Sequence, residues 1–199
     1  MKQSARPFEI IGEEIVVKEL FKFKKILDEH GVRFFLIGGL LLGAVREQKI
    51  LMHDKDLDMG ILEETKLEDV KELLEKHGYQ CQIARPDIPD GKFMWVKKRI
   101  KNQDLVFEIV QYHIKEDIAY INKDMGKSFK KSWRKGHMEY PARYFEDLKE
   151  IEFYGETFLT PNTAKEFLAT DYGDWEVEHI WIDWRYVMTS LREGWVIKE

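Results

Sequence analysis

The stretch Gly38–Gly60, GGLLLGAVREQKILMHDKDLDMG, decides how this chain is read. It joins a Gly-Gly pair, a short apolar turn, an arginine and three acids on alternate positions, Asp54, Asp56 and Asp58. On a β-strand, side chains at i and i+2 share one face, with Cα atoms about 7 Å apart. A strand that begins early enough sets the three carboxylates on one side and sends Lys55 and Leu57 to the other. Like charges so placed repel. The apolar residues around them, Ile50-Leu51 before and Met59-Gly60-Ile61 after, tend to bury them. Repulsion raises at least one carboxyl pKa unless a cation is present, and a hard divalent cation bridges neighbouring carboxylates. A solvated turn with an accidental D-x-D-x-D is the plainer reading, since Asp is common in turns. The apolar flanks weigh against it.

Gly38-Gly39 precedes a helix start. Its backbone N–H groups and the positive helix end suit a phosphate, although the same pair also suits a tight strand-to-helix turn. A phosphate-cradling turn followed by a metal-binding D-x-D describes a site for a nucleoside triphosphate or a nucleotide-sugar-like donor. There Mg²⁺ (or Mn²⁺) neutralises phosphate charge and aligns an in-line attack. A third acid often comes from a neighbouring strand. Glu108, central in Leu105–Tyr112 (LVFEIVQY), supplies one. An acid buried among Val106, Phe107, Ile109 and Val110 is costly without a cation or partner. It equally suits the outward face of an amphipathic strand. If it faces Asp56 and Asp58, it completes a carboxylate site, as metal ligand or as general base for an acceptor hydroxyl. The expected metal ligands are thus Asp56, Asp58 and Glu108, with Asp54 beside them, and Asp56, Asp58 and Glu108 form the expected catalytic set.

Outward from this segment, helical spacing over Glu13–His30 predicts a helix stopped by Gly31. Arg33–Ile37 reads as a buried strand, Leu40–Arg46 as a short helix and Asp56–Leu62 as a strand. An amphipathic helix is expected over Lys66–His77, closed by Gly78, then a strand over Tyr79–Ala84 and a turn-rich loop over Pro86–Asp90. Lys92–Arg99 and Leu105–Tyr112 read as strands joined by a hairpin at Asn102-Gln103-Asp104. Asp117–Asn122 is a weaker strand. Residues 123–150 carry no clear period. Glu150–Leu159 reads as a hairpin around Gly155-Glu156. Pro161–Ala169 reads as a helix with Thr160 as N-cap and Pro161 in its first position. Trp175, Trp181, Trp184 and Trp195, four of the six tryptophans, lie in the tail, part of which is expected to be helical. This order implies a mixed α/β or α+β sheet flanked by helices.

The 199 residues fit one domain, 1–199. It divides into an N-terminal helix (1–31), a catalytic core (32–125) and a C-terminal part (126–199). An apolar fraction of 44% and an aromatic fraction of 13% argue for a folded globule. A net charge of −5 argues against general nucleic-acid binding, which needs a basic face. The amino terminus has no apolar core of a signal peptide, and the run Phe34–Val45 is too short to span a bilayer, so a cytoplasmic protein is expected. Cys81 is the single cysteine, expected to be a packed thiol; no intrachain disulfide or cysteine zinc cluster can form.

Gly38–Ile61 resembles the signature of the LicD/fukutin family of the nucleotidyltransferase-fold superfamily, which typically reads G-T-L-L-G-A-V-R, an apolar stretch, then W-D-D-D-I-D. The spacing matches without a gap from Gly39 to Asp58. LVFEIVQY is similar to the family's later acid-bearing strand. Phe158–Trp175 (FLTPNTAKEFLATDYGDW) is similar to its closing segment, a Pro-led helix followed by Y-G-D-W. These three islands are spread over about two-thirds of the chain. Lys55 replaces the middle Asp, Leu40 the usual Thr, His53 the Trp and Met52 the Pro, and Glu108 stands where Asp is commoner. The resemblance implies a nucleotidyltransferase-like fold. It also implies Mg²⁺-dependent transfer of a phospho-alcohol (phosphocholine or phosphoribitol) from a CDP-linked donor to a sugar hydroxyl. The wider superfamily implies nucleotidyl transfer from an NTP to a small molecule such as an aminoglycoside, and a silent nucleotide-binding module is a third possibility.

Among the remaining residues, Arg46 suits a donor phosphate or an ion pair with the acid ladder. The basic run Lys127–His137 suits an anionic-substrate groove or a solvated face, with Lys130, Lys131 and Arg134 its best candidates. Tyr172, Gly173 and Asp174 close the site, or end a helix and seat Trp175, which is the favoured role. His53 packs beside the strand or touches substrate. No Gly-x-Ser-x-Gly elbow or P-loop is present.

Overall fold

The helical spacing that begins at Glu13 is realised as a 17-residue helix, α2 (Glu13–Glu29), whose buried stripe is Val16, Leu20, Phe23, Ile26 and Leu27. A computed structural model describes residues 6–84, 93–124 and 135–177. Ahead of α2 lies a short helix, α1 (Pro7–Ile11), with Pro7 at its first turn and Phe8 and Ile11 fully buried. After α2 come strand β1 (Phe35–Leu36), helix α3 (Gly38–Leu42) and a π-helical turn (Gly43–Glu47). Strand β2 (Leu57–Leu62), helix α4 (Leu67–Lys76) and strands β3 (Gln80–Ala84), β4 (Phe93–Ile100), β5 (Gln103–Lys115), β6 (Ile118–Asp124) and β7 (Lys135–Pro141) follow. A short helix α5 (Arg143–Glu146), a hairpin of β8 (Lys149–Phe153) and β9 (Glu156–Thr160), and helix α6 (Ala164–Tyr172) complete the described chain.

The sheet is mixed, as expected. Its order is β1-β2-β5-β4-β3, with β6 continuing from the far end of β5 and β7 outside β6. Only β2 and β5 pair in parallel among the described strands. Alternation gives the two faces different work. Phe107 stacks on Phe23 of α2 with ring centroids 4.0 Å apart, and Tyr79 meets Phe23 edge-on. That face is apolar. The opposite face carries Glu108, Val110 and Tyr112 in succession. At its Tyr112 end it is sealed by an aromatic cluster of Phe35, Phe145, Tyr140 and Phe167. The Glu108 end is left to polar groups.

Several expected boundaries move. The β4–β5 turn is Lys101-Asn102, both left-handed, with Ile100 paired to Gln103; the expected turn at residues 102–104 is corrected. Likewise the β8–β9 turn is Tyr154-Gly155, one residue earlier than expected. Two-residue turns with φ > 0 at both positions match strand twist better than wider ones. Thr160 is not the N-cap of α6. It ends β9, its hydroxyl faces the carbonyl of Pro161, and the helix starts three residues later behind Thr163. The loop over Pro86–Asp90 and the tryptophans at 181, 184 and 195 lie outside the described residues.

Candidate active site

The acids do not need the long strand that the alternation implied. β2 begins at Leu57, so only Asp58 sits on it, while Asp54 and Asp56 belong to the preceding loop. That loop nevertheless folds back, and one carboxylate oxygen of each of Asp54, Asp56 and Asp58 lies within 4.8 Å of the others. All three residues are half-buried. Asp58 pairs in register with Glu108 on the parallel neighbour β5, so the two point to the same face. Glu108 stands beside the group of three and is not one of it. Its carboxylate accepts a hydrogen bond from the indole N–H of Trp95, its partner on β4, at 3.2 Å.

The glycines are explained by the same acids. Gly39 donates its backbone N–H to Asp58 Oδ2 at 3.0 Å. A Cβ at Gly38 would overlap the Asp58 carboxylate, and one at Gly39 the Asp54 carboxylate. Gly38 also has φ of +54°, in the region other residues avoid. The turn is therefore packed directly on the carboxylates. Leu40, Leu41 and Leu42 are buried and fix α3 in place. The π-helical turn follows at once and ends at a left-handed Gln48, an irregularity of a kind frequent at functional sites.

Asp54 shows the cost of this packing. Although the residue keeps some exposed surface, its carboxyl is turned inward, and burial raises its pKa above the ordinary carboxylate value. The Lys55 N–H and the charges of His53, Arg6 and Lys55 oppose that rise. The Lys55 N–H donates to Asp54 Oδ1 at 2.8 Å. Half-buried carboxylates crowded this closely fit a hard cation held by Asp54, Asp56 and Asp58.

Around the acids stand groups the sequence did not single out. The Trp95 contact to Glu108 is one. Arg6 is another: its guanidinium donates to the carbonyl of His53. Tyr172, expected mainly to end a helix, has its phenol within the field of the cluster. Burial first, then the fields of Asp58, Asp171, Asp54 and Asp56, hold that phenol protonated. Behind it Tyr140 donates to Asp171 at 2.9 Å, and burial likewise keeps Tyr112 and Tyr140 neutral.

Arg46 does not join the ladder. It contacts Glu47, with the nearer N···O distance 2.6 Å, and donates to the carbonyl of Trp175 at 3.3 Å. It thus bridges the π-turn to the chain beyond α6. Lys130, Lys131 and Arg134 lie outside the described residues. Cys81 is half-buried on β3, and burial, with Glu75 beside it, pushes its thiol up to about 11, as befits a packed residue.

Three clustered acids, a glycine turn packed on them and a fourth acid one strand away make up this carboxylate-lined site. The chain belongs to the LicD/FKTN/FKRP nucleotidyltransferase-domain family, whose model matches residues 31–163. It is 29% identical over 160 residues to the ribitol 5-phosphate transferase FKRP of Homo sapiens, covering 77% of this chain and 30% of that protein. An uncharacterized protein of Rickettsia prowazekii, RP689, is 24% identical over 154 residues, covering 76% of this chain and 52% of that protein. This chain therefore spans about a third to a half of the length of these relatives. Among solved structures, ANT(2'')-Ia in complex with adenylyl-2''-tobramycin is 11% identical, with a TM-score of 0.46, covering 89% of this chain and 88% of that one.

Proposed function

We propose that this chain is a divalent-metal-dependent transferase that moves a phospho-alcohol group, phosphocholine-like or phosphoribitol, from a CDP-linked donor to a sugar hydroxyl. The observation that carries the reading is the convergence of Asp54, Asp56 and Asp58 within 4.8 Å, with Glu108 in register beside Asp58, in a family that includes a named ribitol 5-phosphate transferase. Asp54, Asp56 and Asp58 would hold Mg²⁺ or Mn²⁺, which when bound supplies charge neutralisation for the donor phosphates. Glu108 is ligand or base. Its place outside the tight group, with an indole N–H on one oxygen, favours the base, which takes the proton of the acceptor hydroxyl. Gly38 and Gly39 bring the backbone against the carboxylates. Because the Gly39 N–H already serves Asp58, donor phosphate reaches this turn chiefly by way of the cation site. Arg46, Lys130, Lys131 and Arg134 remain candidate substrate contacts. No described helix is long and apolar enough to cross a membrane.

The test is a melting-point panel of CDP-choline, CDP-ribitol and the four NTPs, with and without Mg²⁺, since a ligand of the native state raises its melting point. A Mg²⁺-dependent rise with a CDP-linked compound supports the reading. Turnover that releases pyrophosphate from an NTP replaces it with nucleotidyl transfer. Nucleotide binding indifferent to Mg²⁺ replaces it with a silent binding module. Asp56→Asn is expected to abolish turnover with the fold intact, and unaffected turnover refutes the site.

A further inference from the structure

The C-terminal ends of α2 and α4 meet, and each closes on a histidine, His30 and His77. The two rings stand edge to face with centroids 5.5 Å apart. His30 Nδ1 lies 2.9 Å from the Ile26 carbonyl oxygen, and His77 Nδ1 lies 2.9 Å from that of Leu73. A carbonyl oxygen only accepts. Nδ1 therefore carries the hydrogen in both rings, and in the neutral ring Nε2 presents its lone pair. Metal-ligating histidines are oriented in the same way, by the other ring nitrogen donating to a carbonyl or a carboxylate. The separation fits as well. Two imidazoles on one metal, at Zn–N distances of about 2.0–2.1 Å and an angle of roughly 110–120°, put their ring centroids roughly 5–5.5 Å apart. The helix ends themselves favour a cation, because their last carbonyls give a C-terminus partial negative charge. Packing holds the two ends together: Phe23 of α2 meets Tyr79, just beyond α4, edge-on at 5.4 Å, and Tyr79 donates to Glu19 of α2 at 2.7 Å. Lys98 donates to the Gly78 carbonyl at 3.1 Å. Its charge opposes a cation held by field alone, which leaves metals that imidazole ligates.

We infer that His30 and His77 form a two-imidazole site for a divalent transition metal of the Zn²⁺, Ni²⁺ and Cu²⁺ class. Water fills the remaining positions, and the bound ion ties the end of α2 to the end of α4. The inference does not rest on the function proposed above. Its ligands differ in kind from the acids of the candidate active site. Carboxylates suit Mg²⁺ and Mn²⁺, whereas imidazole suits Zn²⁺, Ni²⁺ and Cu²⁺. The chain thus sorts two classes of metal between two places. Only folding brings residues 30 and 77 together, so an ion held by both binds the native state and raises its melting point.

The experiment compares the unaltered full chain with His30→Gln and His77→Gln. Ni²⁺ is titrated by calorimetry in excess Mg²⁺, which competes for the carboxylates, and melting points are taken with and without Ni²⁺. The unaltered chain is expected to bind one Ni²⁺ that each variant binds at least about tenfold more weakly, the scale on which even an outer partner of a metal ligand counts. Without Ni²⁺ the three melting points are expected to stay close, because both histidines are exposed. With it, only that of the unaltered chain rises. Ni²⁺ affinity unchanged in both variants places the ion elsewhere. Loss in one variant alone makes the site a single imidazole. No Ni²⁺ binding by the unaltered chain leaves no site. Each of these overturns the inference. If a variant does not fold, the unaltered chain decides: one equivalent of Cu²⁺ in excess Mg²⁺ is expected to show two coordinated nitrogens by electron paramagnetic resonance, and fewer than two overturns the inference.

Discussion

Asp54→Asn divides the cation site from an accidental acidic turn, because the two assign it opposite effects with and without metal. Two unit charges 4.8 Å apart, the outer separation in this cluster, repel by ~0.9 kcal/mol in bulk water and ~3.5 kcal/mol at an effective dielectric constant of 20. The three residues keep part of their surface in water although the Asp54 carboxyl is turned inward, so the lower figure is the minimum. Neutralising Asp54 removes two repulsions, a gross gain of about 2 kcal/mol. Arg6, His53 and Lys55 attract the Asp54 charge and oppose that gain. The Lys55 N–H keeps its acceptor, since the Asn side-chain oxygen replaces Asp54 Oδ1. The metal-free variant is therefore expected to be about 1 kcal/mol more stable, a melting point about 2–4 °C higher for a chain of this size. In saturating Mg²⁺ the order reverses, because the variant has lost a ligand and the metal stabilises it less. Raising the pH works in the same sense. The folded carboxyl of Asp54 holds its proton to higher pH than the unfolded one, so the metal-free native chain loses stability as pH rises from the ordinary carboxylate value through the raised one. Scanning calorimetry in EDTA and in Mg²⁺ checks all three statements. A lower melting point for Asp54→Asn in EDTA, or equal Mg²⁺-induced rises in both proteins, refutes the reasoning.

Gly39→Ala places a methyl group on the Asp54 carboxylate, with α3 pinned by its three leucines. Overpacking of about 1–3 kcal/mol follows, seen as a lower melting point in EDTA and a metal titration weakened at least severalfold; normal Mn²⁺ binding contradicts it. Phe107→Ala removes the ring stacked on Phe23 at 4.0 Å in a fully buried position. A loss of about 3–5 kcal/mol is expected, measured as the shift in urea midpoint with unchanged slope. Cys81 is expected to react sluggishly with iodoacetamide at neutral pH and faster as pH climbs toward its raised value of about 11; rapid modification at pH 7 counts against its packed environment.

Much of this architecture is legible in single residues. The period of α2, the Gly-Gly turn, the acid-bearing strand β5 and the hairpin near Gly155 all follow from side-chain spacing and turn chemistry. What fails is register. A turn centred on residues 102–104 would set Lys98 opposite Glu108, whereas the two-residue turn at Lys101-Asn102 sets Trp95 there. Lys101 at a left-handed position is an unlikely choice by propensity, but its amine reaches the Ile11 carbonyl, a tertiary contact invisible in the sequence. The start of α6 fails for a similar reason, because β9 extends through Thr160 to complete its pairing with Lys149. Arg6 has no local signal at all. Its contact with the His53 carbonyl is a tertiary one, which no periodicity encodes.

The glycines and the acids are best understood as one device. Alternation along a strand would have held Asp54, Asp56 and Asp58 about 7 Å apart in succession. Curling the loop ahead of β2 brings the three carboxylates closer, and the room for that curl comes from the missing side chains of Gly38 and Gly39. Without a cation the arrangement concentrates negative charge where Asp54 resists ionisation. With one, the same crowding becomes affinity, because ligands that must otherwise be gathered are already in place. Stability given up in the metal-free chain is thus recovered on binding. The departures from the family signature fit this division: the exposed Lys55 serves Asp54 through its backbone N–H, which any non-proline residue supplies, and Leu40 is buried within α3, so neither departure removes a carboxylate on which the site depends.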